Sequence, residues 1–273
     1  LTRAAVLGSP VAHSLSPVLH RAAYAALGLD WKYDAVECRE DDLPEQLREP
    51  WAGLSLTMPL KRAVLPLLDE TSELAEAVGG ANTVVFKGGQ KLGFNTDVHG
   101  IVAALAEAGV GTPATAVVLG AGATACSALA ALRDLGLPKA VVVARDPARA
   151  SEAVAAGGRL GVGVTVRTYA DPFPDTDLVI STLPAGAADA HAGTIARAAG
   201  ALLDVVYAPW PTDAAEAVRA AGGKTADGYA MLLHQAARQV ALMTGDEDVP
   251  VEAMRAAGLA EIARRAGLRS ERP

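Results

Sequence analysis

Val117–Ala125 reads VVLGAGATA, and its reading decides the fold. An apolar run over Thr115–Leu119 meets a glycine turn, and a helical pattern then continues to Leu135. The turn has the form G-x-G-x-x-A, with Gly120, Gly122 and Ala125 at the spaced positions and Ala121 and Ala123 among the intervening ones. The first glycine permits the tight bend, and the second lets backbone approach a pyrophosphate. The small third residue lets helix pack on strand, and the helix N-terminus favours an anion. Outward from this stretch the rhythm repeats. Ala140–Ala144, Val162–Arg167, Leu178–Thr182 and Ala201–Val206 are strand runs without polar alternation, and Pro147–Ala156 has a helical pattern. Strands of that kind are parallel and buried on both faces. The expectation is an α/β chain with a Rossmann-like, doubly wound parallel sheet that binds a dinucleotide.

The end of the second strand selects which dinucleotide. Ala144 stands where an acidic residue would hold the ribose hydroxyls of NAD, and Arg145 follows it, with Arg149 four residues on. Two guanidiniums suit a 2′-phosphate, at about 1.5–3 kcal/mol per charge-assisted hydrogen bond. NADP is therefore favoured over NAD. Asp146 is placed either to repel that phosphate or to reach a ribose hydroxyl.

Before Asp97 the rhythm differs. Strand patterns fall at Ala4–Leu7, Trp31–Cys38 and Gly53–Met58, and a hairpin is expected over Asn82–Phe86 and Lys91–Phe94 around Gly88-Gly89. Ser16-Pro17 reads as an N-cap and first helical residue of a helix that stops at Gly28. Shorter helices are expected over Asp42–Glu49, Lys61–Leu68 and Ser72–Val78, so this region is mixed α/β. A helix over Val98–Ala108 leads into the dinucleotide region, and helices over Tyr229–Thr244 and Val251–Ala266 close the chain. The division expected is a substrate-binding and catalytic domain, residues 1–99 plus 233–273, and a dinucleotide-binding domain, residues 100–232, with a cleft between.

Composition narrows the partners. The 273 residues are 51% hydrophobic with a net charge of −7, which argues against nucleic acid or an anionic membrane as main partner. A small anionic substrate remains compatible, because a local cluster of donors can oppose the overall sign. Cys38 and Cys126 are far apart, without metal or disulfide spacing, and the five histidines show no paired ligand spacing, so no metal is expected. No apolar run reaches a membrane span. The expectation is a cytoplasmic monomer or homodimer acting on a small molecule.

The first region carries a set of polar residues, each of which could be merely structural: Ser14 and Ser16 in SPVAHSLSP, Thr57 and Lys61 in GLSLTMPLK, Asn82 in GGANT, and Asp97 in GFNTD. Together they resemble shikimate dehydrogenases. The resemblance runs in order through S-L-S-P (Ser14–Pro17), T-x-P-x-K (Thr57–Lys61), A-N-T (Ala81–Thr83), N-T-D (Asn95–Asp97) and G-A-G-x-x-A (Gly120–Ala125). It continues through D-x-x-Y-x-P-x-x-T (Asp204–Thr212) and D-G-x-x-M-L-x-x-Q-A (Asp227–Ala236), and so covers nearly the whole chain. It implies NADPH-dependent reduction of 3-dehydroshikimate to shikimate, a step toward chorismate and the aromatic amino acids. It also implies Ser14 and Ser16 on the substrate carboxylate, and Thr57, Asn82, Tyr207 and Gln235 on ring hydroxyls or the carboxylate. Lys61 and Asp97 would be the catalytic pair, with Gly228 and Met231 beside the nicotinamide.

Carbonyl chemistry supports that pair independently. Hydride delivery puts negative charge on oxygen, which an ammonium can stabilise and protonate, and a carboxylate beside it keeps the lysine oriented. Either member could be the proton donor. Three departures from the family pattern stand out: Ser55 replaces an asparagine, Ala144-Arg145-Asp146 replaces N-R-T, and Ser181-Thr182-Leu183 replaces N-x-T. Ser55 is shorter than asparagine, and the expectation is a lost substrate contact. A quinate or aminoshikimate dehydrogenase with another cofactor preference is the alternative enzyme, and a non-catalytic NADP-binding sensor is the alternative from another class.

Overall fold

The computed structural model describes residues 2–270. Its contacts divide the chain into two units. The first takes in the chain up to Glu76, Gly80–Thr96 and the chain from Leu233 onward; the second takes in Ala77–Gly79 and Asp97–Leu232.

The first unit is built on short apolar strands. These are β1 (Thr2–Gly8), β2 (Trp31–Glu37), β3 (Gly53–Leu56), β4 (Glu70–Thr71), β5 (Thr83–Lys87) and β6 (Gln90–Phe94). They form one mixed sheet in the order β2-β1-β3-β5-β6-β4. β1 runs parallel to both β2 and β3, whereas β5 is antiparallel to β3 and β6. The helices are α1 (Ser16–Ala26), α2 (Leu43–Gln46), α3 (Leu60–Ala63) and α4 (Glu73–Val78). Ala5, Leu7, Leu54, Leu56 and Val84 of the sheet bury against Leu43, Leu60 and Val64. Tyr33 of β2 is fully buried, as are Leu19 and Tyr24 of α1.

The second unit repeats strand and helix. α5 (Asp97–Glu107) leads to β7 (Ala116–Leu119), α6 (Ala123–Asp134), β8 (Lys139–Val143), α7 (Ser151–Leu160), β9 (Gly163–Arg167) and β10 (Thr176–Ser181). α8 (Ala192–Ala198), β11 (Ala199–Asp204), α9 (Asp213–Ala220) and β12 (Lys224–Asp227) follow. All six strands are parallel, in the order β12-β11-β10-β7-β8-β9. The strand order reverses beside β7, the doubly wound arrangement that opens a binding crevice there. Val117, Leu119, Val179, Leu202, Ile195 and Val218 form its core on one face. α10 (Gly228–Thr244) begins in this unit and continues into the first, which α11 (Val251–Ser270) completes by packing on α1. Among the described residues no helix is long and apolar enough to cross a membrane.

Several local expectations need correction. Ser16 is the first residue of α1 and not its N-cap; Leu15 holds the cap position, already helical, and no side chain caps the helix. The hydroxyl that meets a main-chain N–H is that of Ser14, 3.1 Å from Ser16 N. The third strand ends at Leu56, and the helix expected over Lys61–Leu68 is α3 followed by a 3-10 turn at Leu65–Leu67, where Pro66 cannot donate to a continuing helix. The sequence reading did not include β4, α8, α9 and β12, which are short or polar and lack a hydrophobic run.

Leu54 is fully buried on β3, within the sheet. Leu54→Ala is expected to lower unfolding free energy by about 2–5 kcal/mol, read from urea denaturation with an unchanged m-value.

Candidate active site

Four segments of the first unit reach one end of its sheet. Leu7 of β1 lies beside Leu56 of the parallel β3. The segments leaving those strands, one with Ser14 and Ser16 and the other with Thr57 and Lys61, therefore start side by side. β5 is antiparallel to β3 with Thr83 opposite Ser55, so Asn82 enters at the same end. Thr83 also faces Phe94, the last residue of β6, which brings Asn95 and Thr96 alongside.

The polar groups there are joined by hydrogen bonds whose directions follow from chemistry. The Thr96 N–H can only donate, so the Asn82 side-chain atom 2.8 Å away is its carbonyl Oδ1. The amide nitrogen of Asn82 is thereby turned to Thr96 Oγ1 at 2.9 Å and Gln235 Oε1 at 3.2 Å. The main-chain carbonyl of Asn82 can only accept, so Gln239 presents Nε2 to it at 3.1 Å and also donates to Thr83 Oγ1 at 3.0 Å. Thr83 Oγ1 in turn donates to Asn82 Oδ1 at 2.9 Å. Gln239 Oε1 accepts from Ser55 Oγ at 2.8 Å, and Ser55 accepts from the Tyr33 hydroxyl at 2.6 Å. Burial pushes the Tyr33 pKa well above its ordinary value, against the opposing bond to Ser55, so that hydroxyl remains a donor. Tyr33, Ser55, Asn82, Thr83, Thr96, Gln235 and Gln239 are all buried. A satisfied polar network in a low-dielectric interior holds its members in one arrangement.

Behind the two serines, the His20 ring stacks on Tyr33 with centroids 4.0 Å apart and donates from Nδ1 to the Ser16 carbonyl at 2.9 Å. Burial lowers its pKa to about 4, with that hydrogen bond acting the other way, so the ring is neutral at neutral pH. Ser16 is buried and Ser14 half-buried. Lys61 is half-buried on α3, and its carbonyl accepts from Ala81 N at 2.8 Å, which ties α3 to the strand that enters at Asn82. Thr57 is half-buried at the turn into α3, its N–H on the Leu7 carbonyl at 2.9 Å. Ser55, where a lost substrate contact was expected, spends its hydroxyl between Tyr33 and Gln239. Neither Gln239 nor Tyr33 stands out in the sequence. Gln239 could have been found, since it lies one helical turn beyond Gln235 on the same face; Tyr33 reads as an ordinary apolar strand residue.

The second unit carries the other sequence-derived residues. Gly120 has φ +99°, and a Cβ there would lie 2.5 Å from Thr182 Oγ1, so only glycine fits. Thr182 in turn donates to the Leu119 carbonyl at 2.8 Å. Gly122 is exposed at the N-cap of α6, with nothing within 4 Å of where a Cβ would stand and no side chain capping the helix. Ala121 and Ala123 are neighbours of it in the same turn, and Ala125 is fully buried against the sheet. Open space over a glycine at an uncapped helix N-terminus fits a pyrophosphate. Arg145 and Arg149 are exposed. Between them the Asp146 carboxylate accepts from Ala148 N at 3.0 Å, capping the 3-10 turn Pro147–Ala150.

Asp97 is the buried first residue of α5. Tyr207 is half-buried in the loop between β11 and α9. Asp204 holds that loop at its base, accepting from Val206 N at 3.2 Å and from Thr212 Oγ1 at 2.9 Å. Burial raises the Asp204 pKa, and those two hydrogen bonds act against the rise. Gly228 donates to the Val206 carbonyl at 3.3 Å, and a Cβ on it would collide with the Val205 carbonyl. Met231 is buried one turn further along α10. Among the described residues no cluster of three His, Cys, Asp or Glu is arranged to hold a metal ion.

Comparison with known proteins gives a consistent result. Residues 6–84 match a family model described as the shikimate dehydrogenase substrate binding domain, and residues 228–257 match the shikimate 5'-dehydrogenase C-terminal domain. The crystal structure of Mycobacterium tuberculosis shikimate dehydrogenase is 43% identical, superposes with a TM-score of 0.86, and the match covers 95% of this chain and 100% of that one. Shikimate 5-dehydrogenase from Thermus thermophilus, in complex with NADP(H) and shikimate, is 33% identical with a TM-score of 0.83, over 95% of this chain and 99% of that one. Quinate dehydrogenase from Corynebacterium glutamicum, in complex with NAD, is 31% identical with a TM-score of 0.84, again over 95% and 99%.

Gln239→Leu keeps the side-chain volume and removes both polar ends. It is expected to destabilise the protein by about 1–3 kcal/mol for each group it strands among Ser55, Thr83 and the Asn82 carbonyl. Chemical denaturation measures this, and unchanged stability would show that the network constrains nothing.

Proposed function

The chain belongs to the shikimate dehydrogenase family, and from that premise we propose that it reduces 3-dehydroshikimate to shikimate, reversibly, with NADPH. The observation that carries the reading is the convergence of Ser14, Ser16, Thr57, Lys61, Asn82 and Gln235 at one end of the first sheet. Hydroxyls and amides in that number suit a small polyhydroxylated ring acid. Ser14 and Ser16 take the carboxylate, and Thr57, Asn82, Gln235 and Tyr207 take the ring hydroxyls.

NADPH, when bound, supplies the hydride. The residues that would hold it are Gly120, Ala121, Gly122, Ala123 and Ala125 around the pyrophosphate, Arg145 and Arg149 at the 2′-phosphate, and Gly228 and Met231 at the nicotinamide. The Asp146 carboxylate between the two arginines caps the turn through Ala148 N. Lys61 and Asp97 are the catalytic pair. The ammonium meets the carbonyl oxygen as negative charge develops there, the carboxylate orients it, and the pair delivers the proton. The Corynebacterium relative keeps a second reading in view, a quinate dehydrogenase using NAD.

Steady-state rates with shikimate or quinate, each with NADP or NAD, separate these readings. The highest kcat/KM is expected for shikimate with NADP. Arg145→Ala is expected to weaken NADPH far more than NADH in a fluorescence titration; equal losses would remove the 2′-phosphate role. A preference for quinate with NAD would replace the proposal, and no turnover with either acid would leave an NADP-binding sensor.

Lys61→Ala is expected to lower kcat by roughly 10²–10⁴, the scale of a general acid–base group, while NADPH binding is unchanged. Near-normal turnover would remove Lys61 from the chemistry.

A further inference from the structure

The loop that carries Ser14 and Ser16 has little regular structure of its own. Between β1 and α1 its local main-chain bond is from Ser14 N to the Val11 carbonyl at 2.9 Å, and Ala12 and His13 are exposed. Such a segment would sample several arrangements unless charged or polar groups from elsewhere held it. Two such groups are present. On one side, Glu37 at the end of β2 accepts from Ser9 Oγ at 2.5 Å and from Val11 N at 3.2 Å. On the other, Arg265 of α11, remote along the chain, donates from Nη1 to the His13 carbonyl at 2.6 Å and from Nη2 to the Ser14 carbonyl at 3.3 Å.

Arg265 is itself held. Its Nε donates to Glu261 Oε1 at 2.7 Å, one helical turn back. Arg264 forks onto both oxygens of the same carboxylate at 2.7 Å. Hydrogen bonds from Arg264 and then Arg265 lower the Glu261 pKa to about 2, so it is ionised at any working pH. A planar guanidinium fixed at Nε has its remaining donors aimed in one direction. That direction is the main chain of residues 13 and 14, while the serine side chains are left to other partners.

We propose that Arg265 is a positioning residue for substrate binding: by clamping the carbonyls of His13 and Ser14 it fixes the loop so that the Ser14 and Ser16 hydroxyls meet the substrate carboxylate. The proposal rests on the assignment of those serines to the carboxylate. Arg265 does not enter the chemical step, so its removal is felt in substrate affinity. A guanidinium suits the task better than an ammonium, because two carbonyls and one carboxylate are engaged in a single plane.

The test uses the full chain with Arg265→Met, which keeps much of the apolar stem, and Arg265→Lys, which retains the charge with a single donor group. The expected result for the methionine variant is a rise in shikimate KM of roughly tenfold, the scale of losing a hydrogen bond from a charged group. Its kcat changes little, its NADPH affinity is unchanged, and the lysine variant recovers part of the loss. With the methyl ester of shikimate, which offers no carboxylate, wild type and variant are expected to differ little. An unchanged shikimate KM in both variants overturns the proposal, as does an equal loss on acid and ester. Ser14→Ala, measured alongside, separates the two levels. If it raises shikimate KM while Arg265→Met does not, the clamp alone fails; if neither does, the carboxylate assignment fails with it.

Discussion

The Asn82 side-chain amide, held between the Thr96 N–H and Gln235 Oε1, is the constraint on which the first unit's candidate site depends. It stitches together three segments remote in sequence: the entry to β5, the exit from β6 and the helix α10. The bond to a main-chain N–H leaves no choice about which end of the amide faces which neighbour. Gln239 repeats the arrangement one turn along, against the main-chain carbonyl of Asn82. A buried amide turned the wrong way would set like dipoles together and strand its partners, at a cost of several kcal/mol in a buried setting. Position and orientation therefore come as one package, and Thr96 so held leads directly into Asp97.

The second unit depends on the opposite device, the absence of side-chain atoms. At Gly120 a Cβ would strike Thr182, and at Gly228 it would strike the Val205 carbonyl. At Gly122 the same Cβ would project into open space. The first two glycines permit close packing, and the third leaves backbone N–H groups approachable. Polar anchoring of the loop bearing Tyr207 comes from a buried carboxylate, Asp204, which ties that loop to the start of α9 through Thr212. In the first unit direction comes from amides; in the second it comes from backbone held close by glycines.

A loop can carry function only if something specifies its shape, and here main-chain bonds to the neighbouring segment stop at Ser9, whose N–H meets the Met58 carbonyl at 2.9 Å. Glu37 and Arg265 supply that specification from the end of β2 and from α11. This gives α11 a task beyond covering α1, since its inner edge reaches the main chain beside Ser14 and Ser16.

Much of this was legible in the sequence. The unbroken apolar strand runs and the G-x-G-x-x-A turn determine a parallel, doubly wound second sheet, because period and glycine placement act over a few residues and need no tertiary context. The ordered short motifs likewise identify the family. Short or polar elements such as β12 and α9 escaped, since Lys224–Asp227 becomes a strand only by pairing with β11. Tertiary structure alone decided the direction of each polar group. Ser55 turns to Tyr33 and Gln239, Gln239 turns to the Asn82 carbonyl and Thr83, and Arg265 reaches back to the chain's first loop. Local sequence sets where a strand or helix can form, but a hydrogen bond is specified by both of its ends, and here the second end often lies far along the chain.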